Sequence, residues 1–204
     1  MSVNVVSPSP EFVTWRGNPS SELQQRTSEL EAEASVLRCF DPTLVPGLLQ
    51  TRDYAHAVLD PLTNGGNLAA AVDKRLNRQQ QWRASSTVTH FLLAEQALHT
   101  RIGDPEITRV QLEMLLRPLP PTVTLGVLPR PSQLLSSTTN FILYDDTLAA
   151  VETVTGSLRF TDHTSISDYL TVFDTLTAGA VFGHRRPKPS SAKPSPTTSN
   201  PRRR

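Results

Sequence analysis

The sequence has little cysteine and no long apolar run, and both absences narrow what the protein can be. Cys39 is the only cysteine among 204 residues, so one chain can form neither an internal disulfide nor a cysteine-based metal site. No uncharged apolar run reaches the roughly 18 residues of a membrane-spanning helix, and the N-terminus lacks the basic-then-apolar order of a secretory signal. We therefore expect a soluble, cytoplasmic protein that does not contact a membrane.

The motifs that mark common enzyme classes are also missing. GxGxxG, GxxxxGK followed by Ser or Thr, GxSxG and HExxH do not occur, which argues against standard nucleotide-binding, serine-hydrolase and zinc-protease chemistry. The five histidines are scattered, without the i, i+4 spacing that places two of them on one metal ion. We expect neither a metal nor a cofactor.

The net charge of +1 conceals an uneven distribution of charge. Residues 183–204 contain seven of the 20 Lys and Arg residues and no acid, which leaves 13 basic against 19 acidic residues in 1–182. An acidic body binds phosphate poorly, so we expect no direct DNA binding by the core. The Pro- and Ser-rich basic tail is expected to be disordered, either as a solubilising tail or as an arm for nucleic acid or an acidic partner.

Length and composition favour a single folded domain. With 37% hydrophobic residues in 204, the chain can form one core but has little room for a second. We predict an N-terminal extension at residues 1–13, one α+β domain at 14–182 and a disordered tail at 183–204.

The first half of the domain has helical periodicity. Ser21 and Gln24 have the spacing of a capping box, and an apolar seam from Leu23 to Leu37 predicts a helix that ends near Asp41. Further helices are predicted in RDYAHAV, LAAAVDKRLNRQQQW and PEITRVQLEMLL, and a strand is predicted in TVTHFLLA.

The second half changes to short alternating segments. TVTLGVL, FILY, LAAVETV and SLRF predict strands, and their short connections favour antiparallel neighbours. An amphipathic helix through Ile166 and Phe173 follows, with a cap predicted at Ser165. The predicted fold class is α+β, with N-terminal helices, a small antiparallel sheet and a closing amphipathic helix.

Three polar residues are candidates for acid–base chemistry. His90 is either a hydrogen-bonded core histidine or an acid–base group. Glu95 follows a strand with Arg101 six residues on, so the two either form a structural ion pair or recognise a polar ligand. Glu152 lies among apolar neighbours, where a carboxylate must be paired or have a raised pKa, so it is either an arginine-paired strut or a ligand contact. Its candidate partners on the long helix are Arg75, Arg78, Gln79 and Arg83.

The stretch LVPGLLQT, residues 44–51, flanks a Pro-Gly pair with apolar residues on both sides. Structurally, the pair would break the chain and bury the leucines before a new helix begins. Functionally, it could form one wall of a pocket or partner groove, and the two interpretations are compatible. The predicted ligand- or partner-binding residues are Phe40, Leu44, Pro46, Gly47, Leu48, Gln50, Tyr54, Arg78, Gln79 and Arg101.

LVPGLLQT followed by Arg52-Asp53-Tyr54-Ala55 resembles a phrase of the C-terminal, non-DNA-binding domain of actinobacterial helix-turn-helix regulators of the xenobiotic-response-element type. RLNRQQQW, FLLAEQALHTRIGDPEITRVQLEMLL and the later strand segments are similar to pieces of the same domain, over about residues 14–182.

The resemblance implies a non-enzymatic regulatory or sensor module that works in transcriptional or antitoxin-like control. Because only about 14 residues precede it, too few for a helix-turn-helix, we expect this chain to act without its own DNA-binding domain. Its expected partners are a full-length regulator or another protein, or a small apolar or polar-headed ligand.

Two alternatives remain open. The same scaffold could serve as an enzyme or cyclisation catalyst in natural-product biosynthesis, with Glu95 or Glu152 as acid–base and Arg101 orienting a carbonyl or carboxylate group. Alternatively, the chain could be a nucleic-acid accessory protein that acts through its basic tail.

Overall fold

An eight-stranded mixed sheet is the centre of the structure. The structure is a computed structural model that describes residues 10–14, 20–63, 67–130 and 139–183, with the backbone alone at 20–24. The strands are β1 (Glu11–Thr14), β2 (Val36–Asp41), β3 (Val88–Ala94), β4 (Val123–Leu128), β5 (Phe141–Tyr144), β6 (Leu148–Glu152), β7 (Gly156–Phe160) and β8 (Val181–Phe182).

The strand order is β1-β7-β6-β5-β2-β3-β4-β8. The central strands β2, β3 and β4 are parallel, and all other neighbours are antiparallel. The chain runs from β2 through β3 to β4 in one direction and then places β5 on the other side of β2. The strand order therefore reverses beside β2.

Helices lie on both faces of the sheet. They are α1 (Ser20–Glu33), α2 (Arg52–Leu59), α3 (Leu68–Ala84), α4 (Glu95–His99), α5 (Pro105–Leu115) and α6 (His163–Gly179), with 3-10 turns at Gly47–Leu49 and Asp60–Leu62. The helices α2 and α3 connect β2 to β3, and α4 and α5 connect β3 to β4, as parallel neighbours require.

The first core lies between the sheet and the helices α1, α2, α3 and α5. Leu37 and Cys39 of β2 pack there with Tyr54 of α2 and Trp82 of α3. The indole Nε1 of Trp82 donates to the hydroxyl of Thr89 at 2.8 Å, so the polar atom of this buried ring is satisfied.

The second core lies on the opposite face, beneath α6. Phe40 and Phe141 of adjacent strands pack with Leu170 and Phe173, because successive side chains of a strand point to opposite faces. Each fully buried side chain of this kind contributes about 1.5–3 kcal/mol through the hydrophobic effect. The two cores hold the sheet between two helical layers.

The predicted α+β class and the closing amphipathic helix are confirmed. The sheet is larger than predicted, and its centre is parallel. The segment VLRCFD, which we assigned to the end of a helix, is the central strand β2. The helix α1 ends at Glu33, and the carboxylate of Asp145 accepts hydrogen bonds from the backbone N–H groups of Ser35 (3.0 Å) and Val36 (2.8 Å) at the start of the strand.

Two predicted helix caps have different outcomes. The helix α6 is capped by Asp162, whose carboxylate accepts from the backbone N–H of Ser165 at 2.9 Å, three residues before the predicted cap. The predicted capping box of Ser21 and Gln24 involves side chains outside the described residues. No helix within the described ranges combines the length and apolar character needed to cross a bilayer.

Candidate functional site

The Pro-Gly segment, residues 44–51, connects β2 to α2. Asp41 fixes the start of the segment, because its Oδ1 accepts hydrogen bonds from the backbone N–H groups of Thr43 and Leu44, the latter at 2.8 Å. Thr51 holds its exit, because its hydroxyl accepts from the N–H of Tyr54 at 3.3 Å and caps α2. Side-chain caps thus hold both ends of the segment.

Several apolar side chains of the Pro-Gly segment fill the first core. Val45, Leu48 and Leu49 are 1%, 3% and 0% exposed. Tyr54 is buried beside them, and its hydroxyl accepts from the Val45 N–H at 3.4 Å. Leu48 and Tyr54, which we predicted to line a pocket or groove, are therefore core residues.

A polar clamp, formed by Gln50, Arg75, Gln79 and Gln111, binds the backbone of the Pro-Gly segment. On the α3 side, Nε2 of Gln79 donates to the carbonyls of Gly47 (2.7 Å) and Gln50 (2.9 Å). Nη1 of Arg75 donates to the side-chain oxygen of Gln50 at 2.7 Å. The long helix therefore contacts the segment through hydrogen bonds as well as through apolar packing.

The rest of the polar clamp comes from α5 and from the segment itself. Nε2 of the fully buried Gln111 donates to the carbonyl of Leu49 at 2.8 Å, and its Oε1 accepts from the N–H of Thr51 at 2.7 Å. Nε2 of Gln50 donates to the carbonyl of Val45 at 2.7 Å. A buried irregular segment needs such partners, because an unpaired buried backbone group costs about 1–3 kcal/mol.

Gly47 gives two arginines room to pack against the segment. A Cβ atom at this position would lie 3.0 Å from Nη2 of Arg78 and 3.6 Å from Nε of Arg75. The backbone of Gly47 is not in the left-handed region, so close packing rather than φ favours glycine here.

A buried ion pair lies between α1 and α3, the helix that contributes Arg75 and Gln79 to the polar clamp. Nε of Arg78 is 2.9 Å from Oε2 of Glu31, and the two side chains are only 10% and 6% exposed. Burial raises the pKa of Glu31, while the charges of Arg78 and Arg75 partly oppose this rise. The pair joins α1 to α3, and its depth indicates a structural role.

Three polar residues lie in a row across one end of the sheet. Continuing the β2–β5 register by one residue places Asn140 beside Asp41, and continuing the β5–β6 register by two residues places it beside Glu152. Nδ2 of Asn140 donates to Oε2 of Glu152 at 3.2 Å. Burial raises the pKa of Asp41 to about 6, and the charge of Glu152 adds to this shift against the hydrogen bonds from the following turn.

Arg75 has an unused guanidinium edge near this row. Nη1 binds Gln50, but among the described residues Nε and Nη2 have no hydrogen-bond partner and no carboxylate lies within ion-pair distance. Burial lowers the pKa of Arg75 to about 10, Arg78 adds to this effect, and the charges of Glu152 and Glu31 oppose it. The Nε–Nη2 edge is one that can bind an oxyanion through two parallel hydrogen bonds.

We call Asp41, Gln50, Arg75, Asn140 and Glu152 the switch-point site. It lies at the carboxyl end of β2, where the strand order reverses. In open α/β sheets, ligands bind outside the carboxyl ends of the strands at such a reversal. The site thus combines a position typical of ligand binding with one guanidinium edge that has no partner among the described residues.

Several predicted site residues meet around the Pro-Gly segment. Gly47, Gln50, Arg78 and Gln79 contact one another there, and Leu44 and Pro46 remain partly exposed on it. Glu152 is exposed rather than placed within the sheet core, and its hydrogen-bond partner is Asn140.

Phe40 and His90 lie on the opposite face of the sheet. The ring of Phe40 packs 5.8 Å from that of Phe141 in the core beneath α6. Nδ1 of His90 is 2.8 Å from the hydroxyl of Thr124. Burial lowers the pKa of His90 to about 4, with the charge of Arg38 adding to the effect, so the geometry fits a neutral, hydrogen-bonded histidine.

Glu95 is bound by partners other than Arg101. Its carboxylate accepts from the backbone N–H of Arg130 at 2.8 Å and is 3.3 Å from Nε2 of His99. These two contacts lower its pKa. Arg101 is exposed, so the predicted pairing of Glu95 with Arg101 is replaced by contacts that connect the ends of β3 and β4.

Four residues of this region are not among the predicted site residues: Asp41, Asn140, Glu31 and Gln111. Arg75 is predicted only as a partner of Glu152. One signal was available on α3, where Arg75, Arg78, Gln79 and Trp82 have helical spacing and share one face. Polar residues on the same face as a buried tryptophan require buried partners. Within the described ranges, no three His, Cys, Asp or Glu side chains are placed to hold a metal ion.

Residues 24–185 match the family described as "Domain of unknown function (DUF5753)". The chain belongs to this family. The matched range of the DUF5753 domain includes the Pro-Gly segment and the whole switch-point site. No curated protein matches the chain by sequence.

Two solved structures are distantly similar to the DUF5753 domain. One is TrmBL2, an archaeal chromatin protein described as showing a novel mode of DNA binding; the match has 14% identity and a TM-score of 0.39, covering 85% of this chain and 53% of that chain. The chain thus spans about half the length of that relative. The other is NucT from Helicobacter pylori, with 9% identity and a TM-score of 0.44, covering 85% of this chain and 98% of that chain. At this distance neither similarity bears on function.

Proposed function

We propose that this DUF5753 domain is a non-enzymatic sensor module in which a small ligand binds at the switch-point site and changes the Pro-Gly segment. The observation that carries the proposal is the position of Arg75. One of its nitrogens holds Gln50, while its other edge has no partner among the described residues.

Gln50 would transmit ligand binding to the segment. Its side chain accepts from Arg75 and donates to the carbonyl of Val45, and its own carbonyl accepts from Gln79. A ligand that draws the guanidinium towards itself weakens the first of these bonds. The remaining hydrogen bonds of Gln50 would then rearrange, so that ligand binding shifts the conformational equilibrium of the Pro-Gly segment.

Binding is a better-supported role than catalysis. Of the three acid–base candidates, Glu152 alone lies at the switch-point site, whereas His90 is hydrogen-bonded to Thr124 on the opposite face of the sheet and Glu95 is bound at the ends of β3 and β4. A reaction would need several such groups around one substrate. The site instead offers one cationic edge and two carboxylates around a hydrogen-bonded segment.

The resemblance to the C-terminal domains of helix-turn-helix regulators supports a protein as the receiver of the signal. We propose that the changed segment alters binding to a regulator or to a small partner protein. Residues next to the segment are available for such contact, because Thr43, Arg52 and Asp53 are exposed.

The experiment is hydrogen–deuterium exchange of the full chain with and without a small-molecule extract of its own host. We expect the extract to change exchange at residues 44–51 in the wild type and much less in Arg75→Gln. Arg83→Gln is the matched control, because Arg83 lies on the same helix but is exposed. Retained compounds are then identified by mass spectrometry.

Two results would overturn the proposal. One is an extract that leaves exchange in the segment unchanged although compounds are retained elsewhere on the protein. The other is consumption of a retained compound over time, since turnover would make the domain an enzyme.

A further inference from the structure

The acidic part of the switch-point site has no cation of its own. Neither Asp41 nor Glu152 has a basic group within ion-pair distance among the described residues. Asp41 accepts hydrogen bonds only from the turn that follows it, and Glu152 accepts one from Asn140. Two neighbouring carboxylates that repel each other favour a ligand with a positive charge between them.

The basic part of the site has the opposite requirement. The Nε–Nη2 edge of Arg75 has no partner in the part of the chain that the structure describes, and a carboxylate or phosphate oxygen pair matches the geometry of that edge. The Nε atom is buried, and a Cβ at Gly47 would lie 3.6 Å from it, so the glycine backbone packs close to this edge. The edge therefore favours a ligand with a negative charge.

A ligand with only one kind of charge is disfavoured, because groups of the same charge also lie at or near the switch-point site. A free anion would bind Arg75 but would also feel Glu152 and Glu31, whose charges reach that arginine. A simple cation would bind the carboxylates but would be repelled by Arg75, whose charge interacts with that of Glu152. One molecule that carries both charges meets both requirements.

We infer that the switch-point site binds a small zwitterion, with its carboxylate on the Nε–Nη2 edge of Arg75 and its protonated amine beside Glu152 and Asp41. This inference rests on the proposed sensing function and names the chemical class of its ligand. A molecule of this kind would bridge α3 to the row of polar residues across the sheet end.

The test uses matched probes on the full chain. Glycine, 4-aminobutanoate and 6-aminohexanoate vary the separation of the two charges, whereas butanoate and butylamine each keep one charge of 4-aminobutanoate. Affinities are measured by ligand-observed NMR titration. We expect at least one amino acid of the series to bind about tenfold more tightly than either singly charged analogue.

Variants separate a specific site from general charge effects. Glu152→Gln should weaken the best probe about tenfold while leaving thermal unfolding unchanged, because Glu152 is exposed and bonded only to Asn140. Glu106→Gln is the matched control, since Glu106 is an exposed glutamate on the distant face of α5 with Arg109 as its partner. Arg75→Lys should also weaken binding, because it keeps the charge but removes the two-nitrogen edge.

Three results would overturn the inference. They are an amino-acid series that binds no better than butanoate and butylamine, equal losses in Glu152→Gln and Glu106→Gln, or inorganic phosphate binding more tightly than every amino acid. If host extract still changes exchange in the Pro-Gly segment in any of these cases, the ligand class is wrong and the sensing function survives. If neither extract nor probes act, both proposals fail.

Discussion

Removing one partner of the buried Glu31–Arg78 ion pair should destabilise the fold far more than replacing both. The two charged atoms are 2.9 Å apart, and the side chains are about nine-tenths buried. In Arg78→Met, the carboxylate of Glu31 stays in the core without its nearest cation. Losing one partner of such a pair costs about 3–5 kcal/mol.

This cost is large relative to the stability of a domain. The free energy of unfolding of a small domain is about 5–15 kcal/mol, so the single variant loses a large share of its stability. At about 2–4 °C per kcal/mol for a chain of this size, its melting temperature should fall by roughly 6–20 °C. The double variant Glu31→Leu/Arg78→Met leaves no unpaired charge and should unfold much closer to the wild type.

The assay is urea unfolding followed by circular dichroism at pH 7 and near pH 4.5. Burial already raises the pKa of Glu31 above 4.5, and loss of Arg78 raises it further. A raised carboxyl pKa means that stability falls as pH rises, so the defect of Arg78→Met should be smaller at the lower pH. Arg83→Met, on the exposed side of the same helix, should unfold like the wild type at both values. A double variant as unstable as the sum of its two single variants would refute the reasoning.

Four further predictions concern other residues of the fold. Gly47→Ala should cost about 1–3 kcal/mol in thermal unfolding because its Cβ meets Arg78, whereas Gly183→Ala, which has open space around it, should change nothing. Gln111→Ala should cost about 2–4 kcal/mol in urea unfolding and accelerate amide exchange in the Pro-Gly segment, since one N–H and one carbonyl lose their partners; unchanged exchange would contradict this. Burial lowers the pKa of His90 from 6.5 to about 4, so the fold favours its neutral form. Because the unfolded chain binds this proton more readily, the free energy of unfolding falls as pH drops from 6.5 towards 4. His90→Gln should therefore lose less stability than the wild type on acidification. Asp41, with its pKa raised from 3.8 to about 6, acts with the opposite sign, so Asp41→Asn should make the loss on acidification steeper.

The sequence was sufficient for elements whose periodicity matches their surroundings. The long helix α3, the strand β3 and the closing helix were predicted because each has an extended and consistent pattern of burial. The strand β2 was missed because Leu30, Ala34 and Leu37 also fit a helical seam. What makes Val36–Asp41 a strand is its pairing with β3 and β5, which lie far away in the chain.

The error at β2 also explains the underestimated sheet. With β2 read as helix, no strand preceded β3, so the crossover through α2 and α3 was not indicated. Once β2 is a strand, the succession strand, helix, strand, helix, strand requires a parallel centre. One misassigned element thus concealed the position where the strand order reverses.

The switch-point site was only partly predictable for a related reason. Gln50 was identified because it lies within one recognisable phrase, and Glu152 because it is a carboxylate among apolar neighbours in the sequence. Asp41 and Glu152 end two strands and Asn140 directly precedes a third, and their row follows from registers that no local pattern contains. Sequence reasoning found the polar residues of α3 but could not name the groups that they face.

In LVPGLLQT, the apolar side chains pack in the core while the backbone is hydrogen-bonded by side chains of the polar clamp. Val45, Leu48 and Leu49 enter the core, which forces the backbone between them to be buried without the regular partners of a helix or strand. Glutamine suits this backbone because one side-chain amide both donates and accepts, and the clamp accordingly uses Gln50, Gln79 and Gln111.

Arg75 is the exception in this arrangement. A fourth glutamine could hold Gln50 equally well by hydrogen bonding, and it would avoid the cost of placing a guanidinium in surroundings that lower its pKa to about 10. The structure of the segment therefore accounts for one nitrogen of Arg75 but not for its charge. A negatively charged ligand, as proposed above, would account for both.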